Sequence, residues 1–198
     1  MKKSILVTGA TDGIGLETAK MLASLGHNVL LHGRSLPKLE NIQTTLSALP
    51  EGGPVESYMF DLSRMADVEA LAKAVAENHT QLDVLINNAG VFKVSNPITS
   101  DGLDVRFAVN TIAPYLLTQR LVPLIGTSGR VINLSSAAQA PVDLEALFGR
   151  AQLSDMAAYS QSKLAITMWS ISMALTLKDE GPVIIAINPG SLLGSKMV

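Results

Sequence analysis

The sequence predicts an α/β fold: a doubly wound parallel sheet of six strands in three α/β/α layers, one domain over residues 1–198. Three observations predict it. Short apolar runs alternate with segments of helical spacing along the whole chain. The runs are apolar continuously rather than at every second residue, as in strands buried on both faces. A glycine-rich turn joins the first run to the first helical segment.

The elements follow in order. Ser4–Val7 is the first strand. The turn Thr8-Gly9-Ala10-Thr11-Asp12-Gly13-Ile14-Gly15 comes next, and Ile14, Thr18, Met21, Leu22 and Leu25 carry a helix that ends at Gly26. Asn28–Gly33 is the second strand. Ser35 suits an N-cap, with Pro37 in the first turn of a helix running to about Leu49. Glu51-Gly52-Gly53-Pro54 is a turn, and residues 55–60 form the third strand. Val68, Leu71, Ala72 and Val75 mark a third helix, and Val84-Leu85-Ile86 a fourth strand. A long helical region spans 102–125. Arg130–Leu134 is the fifth strand, a helix covers about 155–178, and Val183–Ile187 is the sixth strand. Sheets of this kind bind ligands beyond the carboxyl ends of their strands. Every motif below falls just after a strand or on the helix that follows one.

Composition excludes several function classes. Apolar residues make up 47% and charged residues 16%, which a packed core accounts for and disorder does not. The net charge of −2, without a Lys/Arg cluster, argues against a nucleic-acid partner. The chain has no cysteine, so disulfide and thiolate chemistry are absent, and a cytoplasmic location is the expectation. Met1-Lys2-Lys3 precedes too short an apolar run for a signal peptide, and no run has the length of a membrane span. His27, His32 and His79 lack ligand spacing, so no metal site is expected.

The glycine turn carries the first chemistry. Gly9 permits the tight turn. Gly13 lets a pyrophosphate approach the helix N-terminus, where unpaired N–H groups and the dipole favour anions. Gly15 would let the helix lie close on the sheet. A glycine-rich turn without ligand is the plainer reading. The spacing G-x-x-x-G-x-G resembles the fingerprint of the short-chain dehydrogenase/reductase family, and the chain looks like its retinol-dehydrogenase-like branch over nearly its whole length. The resemblance implies a Rossmann-type domain, a nicotinamide dinucleotide and an alcohol or carbonyl substrate. It places Gly9, Thr11, Asp12, Gly13, Ile14 and Gly15 against the cofactor. It also implies a homo-oligomer, dimer or tetramer, built through helices 102–125 and 155–178, whose apolar residues could equally face only the domain's own sheet.

Cofactor choice is partly readable. An NAD site usually has an Asp or Glu after the second strand. Here Leu31-His32-Gly33-Arg34-Ser35 holds no acid. Arg34, with Ser35 beside it, could pair with a 2′-phosphate, so NADP(H) is expected in preference to NAD(H). Asp12 stands against this, since many NADP enzymes of the family carry a basic residue there. A solvated loop charge is the other reading of Arg34. Asp61-Leu62 follows the third strand; the resemblance puts the Asp at the adenine amino group, and a helix-entry acid is the alternative. Asn87-Asn88-Ala89-Gly90 follows the fourth strand. Its small residues leave room for a ring system, and the family uses Asn88, Ala89 and Gly90 to steady the sheet and line the adenosine side.

The candidate reacting groups are Ser136, Tyr159 and Lys163. Tyr159 and Lys163 stand at i and i+4, on one helix face. A free tyrosine is a poor base at neutral pH, and a nearby ammonium stabilises its phenolate. The resemblance also lets Lys163 hold the nicotinamide ribose. Ser136 can stabilise charge developing on a substrate oxygen. The resemblance favours it over Ser135. Asn110 matches the family's asparagine that holds a water in a proton relay, and a buried Asn bonding backbone is its structural reading. Residues 140–155 are longer than the family's usual spacing and read as an insert near the substrate mouth. Pro189-Gly190 matches the segment over the nicotinamide. Ser195, or alternatively Ser191, would contact the carboxamide. The chain stops at Val198, where family members continue into a seventh strand and much of the substrate lid. The expected activity is NADP(H)-dependent hydride transfer between the nicotinamide and a small-molecule alcohol or carbonyl. The alternative is a dinucleotide-binding sensor or scaffold without robust catalysis.

Overall fold

The computed structural model describes residues 1–190; Ser191 and Ser195, both expected near the carboxamide, lie outside the described residues. Six strands form one parallel sheet: β1 (Ser4–Val7), β2 (Asn28–Gly33), β3 (Val55–Met59), β4 (Val84–Asn87), β5 (Arg130–Leu134) and β6 (Val183–Ile187). Their spatial order is β3-β2-β1-β4-β5-β6. The winding direction reverses between β1 and β4, which opens the crevice where such sheets take ligands. In register, Val7 pairs with Leu31 of β2 and Ile86 of β4, so the three strands end at one level beneath that crevice.

Helices α1 (Gly13–Ser24), α2 (Leu36–Ser47), α3 (Met65–Asn78), α4 (Val105–Phe107), α5 (Ala113–Ile125), α6 (Leu144–Leu147) and α7 (Asp155–Thr176) connect them. Side chains alternate along each strand, so the core divides in two. Ile5, Val7, Val29 and Leu31 pack with Ala19, Ala23, Leu39 and Ile42 of α1 and α2. Leu6, Leu30 and Leu85 pack with Val68, Leu71, Leu117 and Leu121 of α3 and α5. β6 is the outer strand of the described sheet, and its Val183, Ile185 and Ile187 remain exposed.

The structure departs from the sequence reading at three places. First, the face α1 turns to the sheet is Gly15, Ala19 and Ala23, whereas Met21 and Leu25 are exposed. A Cβ on Gly15 would overlap the Gly9 carbonyl and the Asn88 amide, so the helix lies too close for large residues on its inner face. Second, Ser35 has the extended backbone of an N-cap but makes no side-chain cap bond. Third, the long helix of 102–125 begins at Val105 and is broken by a π-helical turn, Ala108–Ile112, between α4 and α5. Among the described residues no helix is long and apolar enough to cross a membrane, and no group of three metal-binding side chains occurs.

Candidate active site

The glycine turn is built by close approach. Gly9 has φ +66°, and a Cβ there would come within 2.9 Å of Ala89 Cα, so the turns after β1 and β4 touch backbone to backbone. Gly13 has φ +53°. Asp12 caps α1, its carboxylate accepting the Gly13 N–H at 2.9 Å. Gly33 leaves room for the Thr11 methyl, which a Cβ would meet at 2.6 Å. Asn88 sews the two turns together. Its Nδ2 donates to the Thr8 carbonyl at 2.9 Å and the Gly9 carbonyl at 3.1 Å. The N–H groups of Asn88 and Ala89 in turn donate to Thr8 Oγ1 at 3.0 and 3.1 Å. Ile14 and Gly90 lie half-buried beside this seam.

The adenosine side opens onto a cavity of about 550 Å³ lined by Arg34, Ser63, Arg64, Val91 and Lys93. Asp61 behaves as a helix-entry acid, Oδ1 accepting the Ser63 N–H at 3.0 Å. Leu62 is buried in the core under this cavity. The structure thus shows the helix-entry arrangement of Asp61, with Ser63 and Arg64 just after it lining the cavity.

On the other side of the crevice, α7 brings Tyr159 and Lys163 to the end of β5. Lys163 is 4% exposed, and its Nζ donates to the Leu134 carbonyl at 2.7 Å. Burial pushes its pKa down to about 8. The ammonium lies 5.8 Å from the centroid of the Tyr159 ring. The Tyr159 ring also packs against Phe92, at 5.0 Å between centroids.

The two serines divide clearly. Ser135 is buried, and its hydroxyl donates to the Lys163 carbonyl at 3.0 Å and meets Thr167 Oγ1 at 2.7 Å. Ser136 is half-buried; its Oγ accepts the Ala138 N–H at 3.1 Å. Among the described contacts nothing accepts its proton, which leaves Ser136 the serine able to donate to a ligand.

Asn110 lies inside the π-helical turn and is fully buried. Its Oδ1 accepts the Val91 N–H at 2.8 Å, and its Nδ2 donates to the Val91 carbonyl and to Ser162 Oγ, both at 3.0 Å. Its side chain thus performs the structural task, tying the loop after β4 to α7. One helical turn earlier, the buried Arg106 does the same: it pairs with Asp104 and Asp155 and donates to the Phe92 carbonyl at 3.4 Å. Residues 140–155 do pack beside the site. Asp143 N–H donates to Gln161 Oε1 at 2.9 Å and Ala140 N–H to the Ser160 carbonyl at 3.3 Å. Pro189-Gly190 follows β6, Gly190 with φ +96° and its N–H donating to Asn188 Oδ1 at 3.1 Å. Sequence reasoning gave no role to Thr8, Phe92, Arg106 or Ser162. His32 and Asn133, polar residues inside apolar strands, were signals available for further contacts.

Comparison with known proteins agrees with this geometry. Residues 3–198 match the family described as short chain dehydrogenase. Human retinol dehydrogenase 13 is 34% identical over 193 residues, covering 95% of this chain and 58% of the relative. Human polyprenol dehydrogenase is 34% identical over 195 residues, covering 93% of this chain and 59% of the relative. The chain therefore spans about three fifths of the length of these curated relatives. Among solved structures, a metagenomic short-chain oxidoreductase in complex with NADP superposes with a TM-score of 0.76 at 33% identity, covering 97% of this chain and 84% of that one. A short chain dehydrogenase from Burkholderia cenocepacia in complex with NADP gives 0.80 at 28% identity, covering 98% and 76%. This chain belongs to the short-chain dehydrogenase family, on the branch that holds the retinol dehydrogenases.

Proposed function

We propose that this domain catalyses reversible hydride transfer between NADP(H) and an alcohol or carbonyl substrate. The observation that carries the reading is the buried Lys163 ammonium beside the Tyr159 ring, without a carboxylate partner among the described residues. The turn suits a dinucleotide: Gly9 and Gly13, both at positive φ, lead the chain into the N-terminus of α1, and Gly15 lets that helix lie against the turn. Arg34, with Arg64 and Lys93 around one cavity, favours the 2′-phosphate of NADP(H) over NAD(H). When bound, that group supplies or accepts the hydride.

The chain's own residues do the rest. Ser136 Oγ–H donates to the substrate oxygen and stabilises charge that develops there. In the reducing direction the Tyr159 hydroxyl gives its proton to that oxygen. The Lys163 cation stabilises the phenolate left behind, and its low-dielectric site strengthens that interaction. Asn110 holds the loop and α7 at the spacing this requires through its bonds to Val91 and Ser162, and the expected relay water would belong at the π-helical turn around it. The outer faces of α5 and α7, with Tyr115, Met168, Ile171 and Leu175 exposed and a groove of about 300 Å³ lined by Tyr115, Trp169 and Met173, support a homo-oligomer. A monomer at micromolar concentration in sedimentation would reject that assembly.

Calorimetric titration with NADPH and NADH tests the cofactor reading, and reduction of all-trans-retinal and smaller aldehydes tests the activity. Tight, NADPH-selective binding with turnover lost in Tyr159→Phe is the expected result. Unchanged turnover in Tyr159→Phe sinks the mechanism. NADPH binding without Tyr159-dependent turnover would make the domain a dinucleotide-binding module instead.

A further inference from the structure

His32 is 2% exposed in β2, an imidazole in an otherwise aliphatic run. Its two ring nitrogens face two different loops. Nδ1 lies 3.3 Å from the Gly9 amide nitrogen, and Nε2 lies 3.1 Å from the Phe60 carbonyl oxygen. A carbonyl oxygen only accepts and an amide N–H only donates. The ring therefore carries its hydrogen on Nε2 and keeps Nδ1 as acceptor. Main-chain bonds run alongside: Ala10 N–H donates to the His32 carbonyl at 2.9 Å, and Phe60 N–H to the Gly33 carbonyl at 3.2 Å.

The two loops are the ones the dinucleotide must bridge. Gly9 opens the turn proposed for the pyrophosphate. Phe60 leads into Asp61-Leu62 beside the adenosine cavity. Gly9 has little room to shift, because it lies so close to Ala89 that an added Cβ would come within 2.9 Å of Ala89 Cα. We infer that His32 is a positioning residue for the cofactor: a neutral imidazole strut that fixes the spacing between the glycine turn after β1 and the loop after β3. The inference rests on the dinucleotide reading above.

Burial keeps the strut in its working form. It holds the His32 pKa down at about 4; the hydrogen bond to Phe60 and the charge of Asp61 oppose this, and Arg34 adds to it. Protonation would put a hydrogen on Nδ1, facing the Gly9 N–H, and the turn would lose its acceptor.

Two amides separate the arms of the strut. His32→Asn keeps an acceptor at the Nδ1 position for Gly9 and gives up the reach to Phe60. His32→Gln keeps a donor at the Nε2 position for Phe60 and gives up Gly9. His32→Leu removes both. Calorimetry would compare the native chain and all three variants with NADPH and with adenosine 2′,5′-bisphosphate, which lacks the pyrophosphate and the nicotinamide half. His32→Leu is expected to weaken NADPH at least ten-fold, and His32→Asn to recover most of that loss. His32→Gln is expected to weaken NADPH yet bind the bisphosphate within about two-fold of native. If His32→Leu does not fold, the Asn and Gln variants carry the comparison. Equal losses in every folded variant would assign His32 to packing alone and overturn the inference. So would native affinity in His32→Leu. A native chain that binds neither nucleotide would overturn the dinucleotide reading itself, and the strut with it.

Discussion

Gly15→Ala adds one methyl group and should disable the domain. The new Cβ would overlap both the Gly9 carbonyl oxygen and Asn88 Nδ2. The Gly9 carbonyl is main chain and cannot step aside alone. Asn88 can move only by breaking its bonds to the Thr8 and Gly9 carbonyls at 2.9 and 3.1 Å. Overpacking costs about 1–3 kcal/mol. Two lost hydrogen bonds add about 0.5–1.5 kcal/mol each. Alanine's better helix propensity returns about 1 kcal/mol. The balance is a loss of about 3 kcal/mol. The contrast is Gly102→Ala, where φ is +76° and nothing lies within 4 Å of the new Cβ. That change costs only the left-handed strain of about 1–2 kcal/mol. Urea unfolding of both variants gives the stabilities, and NADPH titration gives the consequence at the site. Gly15→Ala should lose the larger stability and most NADPH affinity, while Gly102→Ala keeps the native affinity. Equal stability losses, or native affinity in Gly15→Ala, would refute the claim that α1 rests on the seam between the two turns.

The remaining expectations concern the opposite side of the crevice. Ser136→Ala should lower kcat by about 10²–10³ with unchanged unfolding, as for a lost donor to a developing oxyanion. Ser135→Ala should instead lower stability by about 1 kcal/mol, because its hydroxyl ties β5 to α7; a larger kcat loss at Ser135 than at Ser136 would reverse the assignment. Lys163 titrates near 8 in the folded chain against 10.5 in the unfolded one, so the unfolded chain holds more protons between those values. Stability should therefore rise with pH from about 8 to 10.5, by about 3 kcal/mol in all. Lys163→Met should remove that rise in urea unfolding followed over the same range.

The inner strands were legible because they are buried on both faces and therefore mostly apolar, as Ile5–Val7 and Val29–Leu31 are. Asn28–Gly33 has the predicted bounds for this reason; Val183–Ile187 has them as well, although β6 is the outer strand of the described sheet and its Val183, Ile185 and Ile187 are exposed. Tyr159 and Lys163 were legible because four residues is one helical turn, which any helix converts into a shared face. The inner face of α1 was not. Hydrophobic periodicity selects large residues, and there the sheet demands small ones. The ties around the site were hidden for another reason. Thr8 meets Asn88, Asn110 meets Ser162 and Arg106 meets Asp155 across long stretches of chain, and only the folded sheet brings them together. A polar side chain does not announce its partner when the partner lies on another element.

α7 inverts the usual logic of an amphipathic helix, and that inversion joins the site to the surface. Its buried residues include Ser160, Gln161, Ser162, Lys163 and Ser170, while Met156, Met168, Ile171 and Leu175 are exposed. Polar groups buried this way are stable only if each finds a partner. They do: Ser160 with Met156 Sδ, Ser162 with Asn110 and the Tyr159 carbonyl, Lys163 with Leu134, Gln161 with the Asp143 N–H, Ser170 with Asn133. Such a helix gains less from the hydrophobic effect within its own domain than an ordinary one, because Ala158 and Ile166 are its only fully buried apolar residues while several large ones face outward. Its position is set by hydrogen bonds that have one geometry, which suits a helix that must hold Tyr159 to a fraction of an ångström. The apolar outer face then has burial still to gain. A second copy of the chain packed along α5 and α7 would supply it and would press the same helix more firmly into place. Assembly and catalytic precision would thus be two uses of one inverted helix.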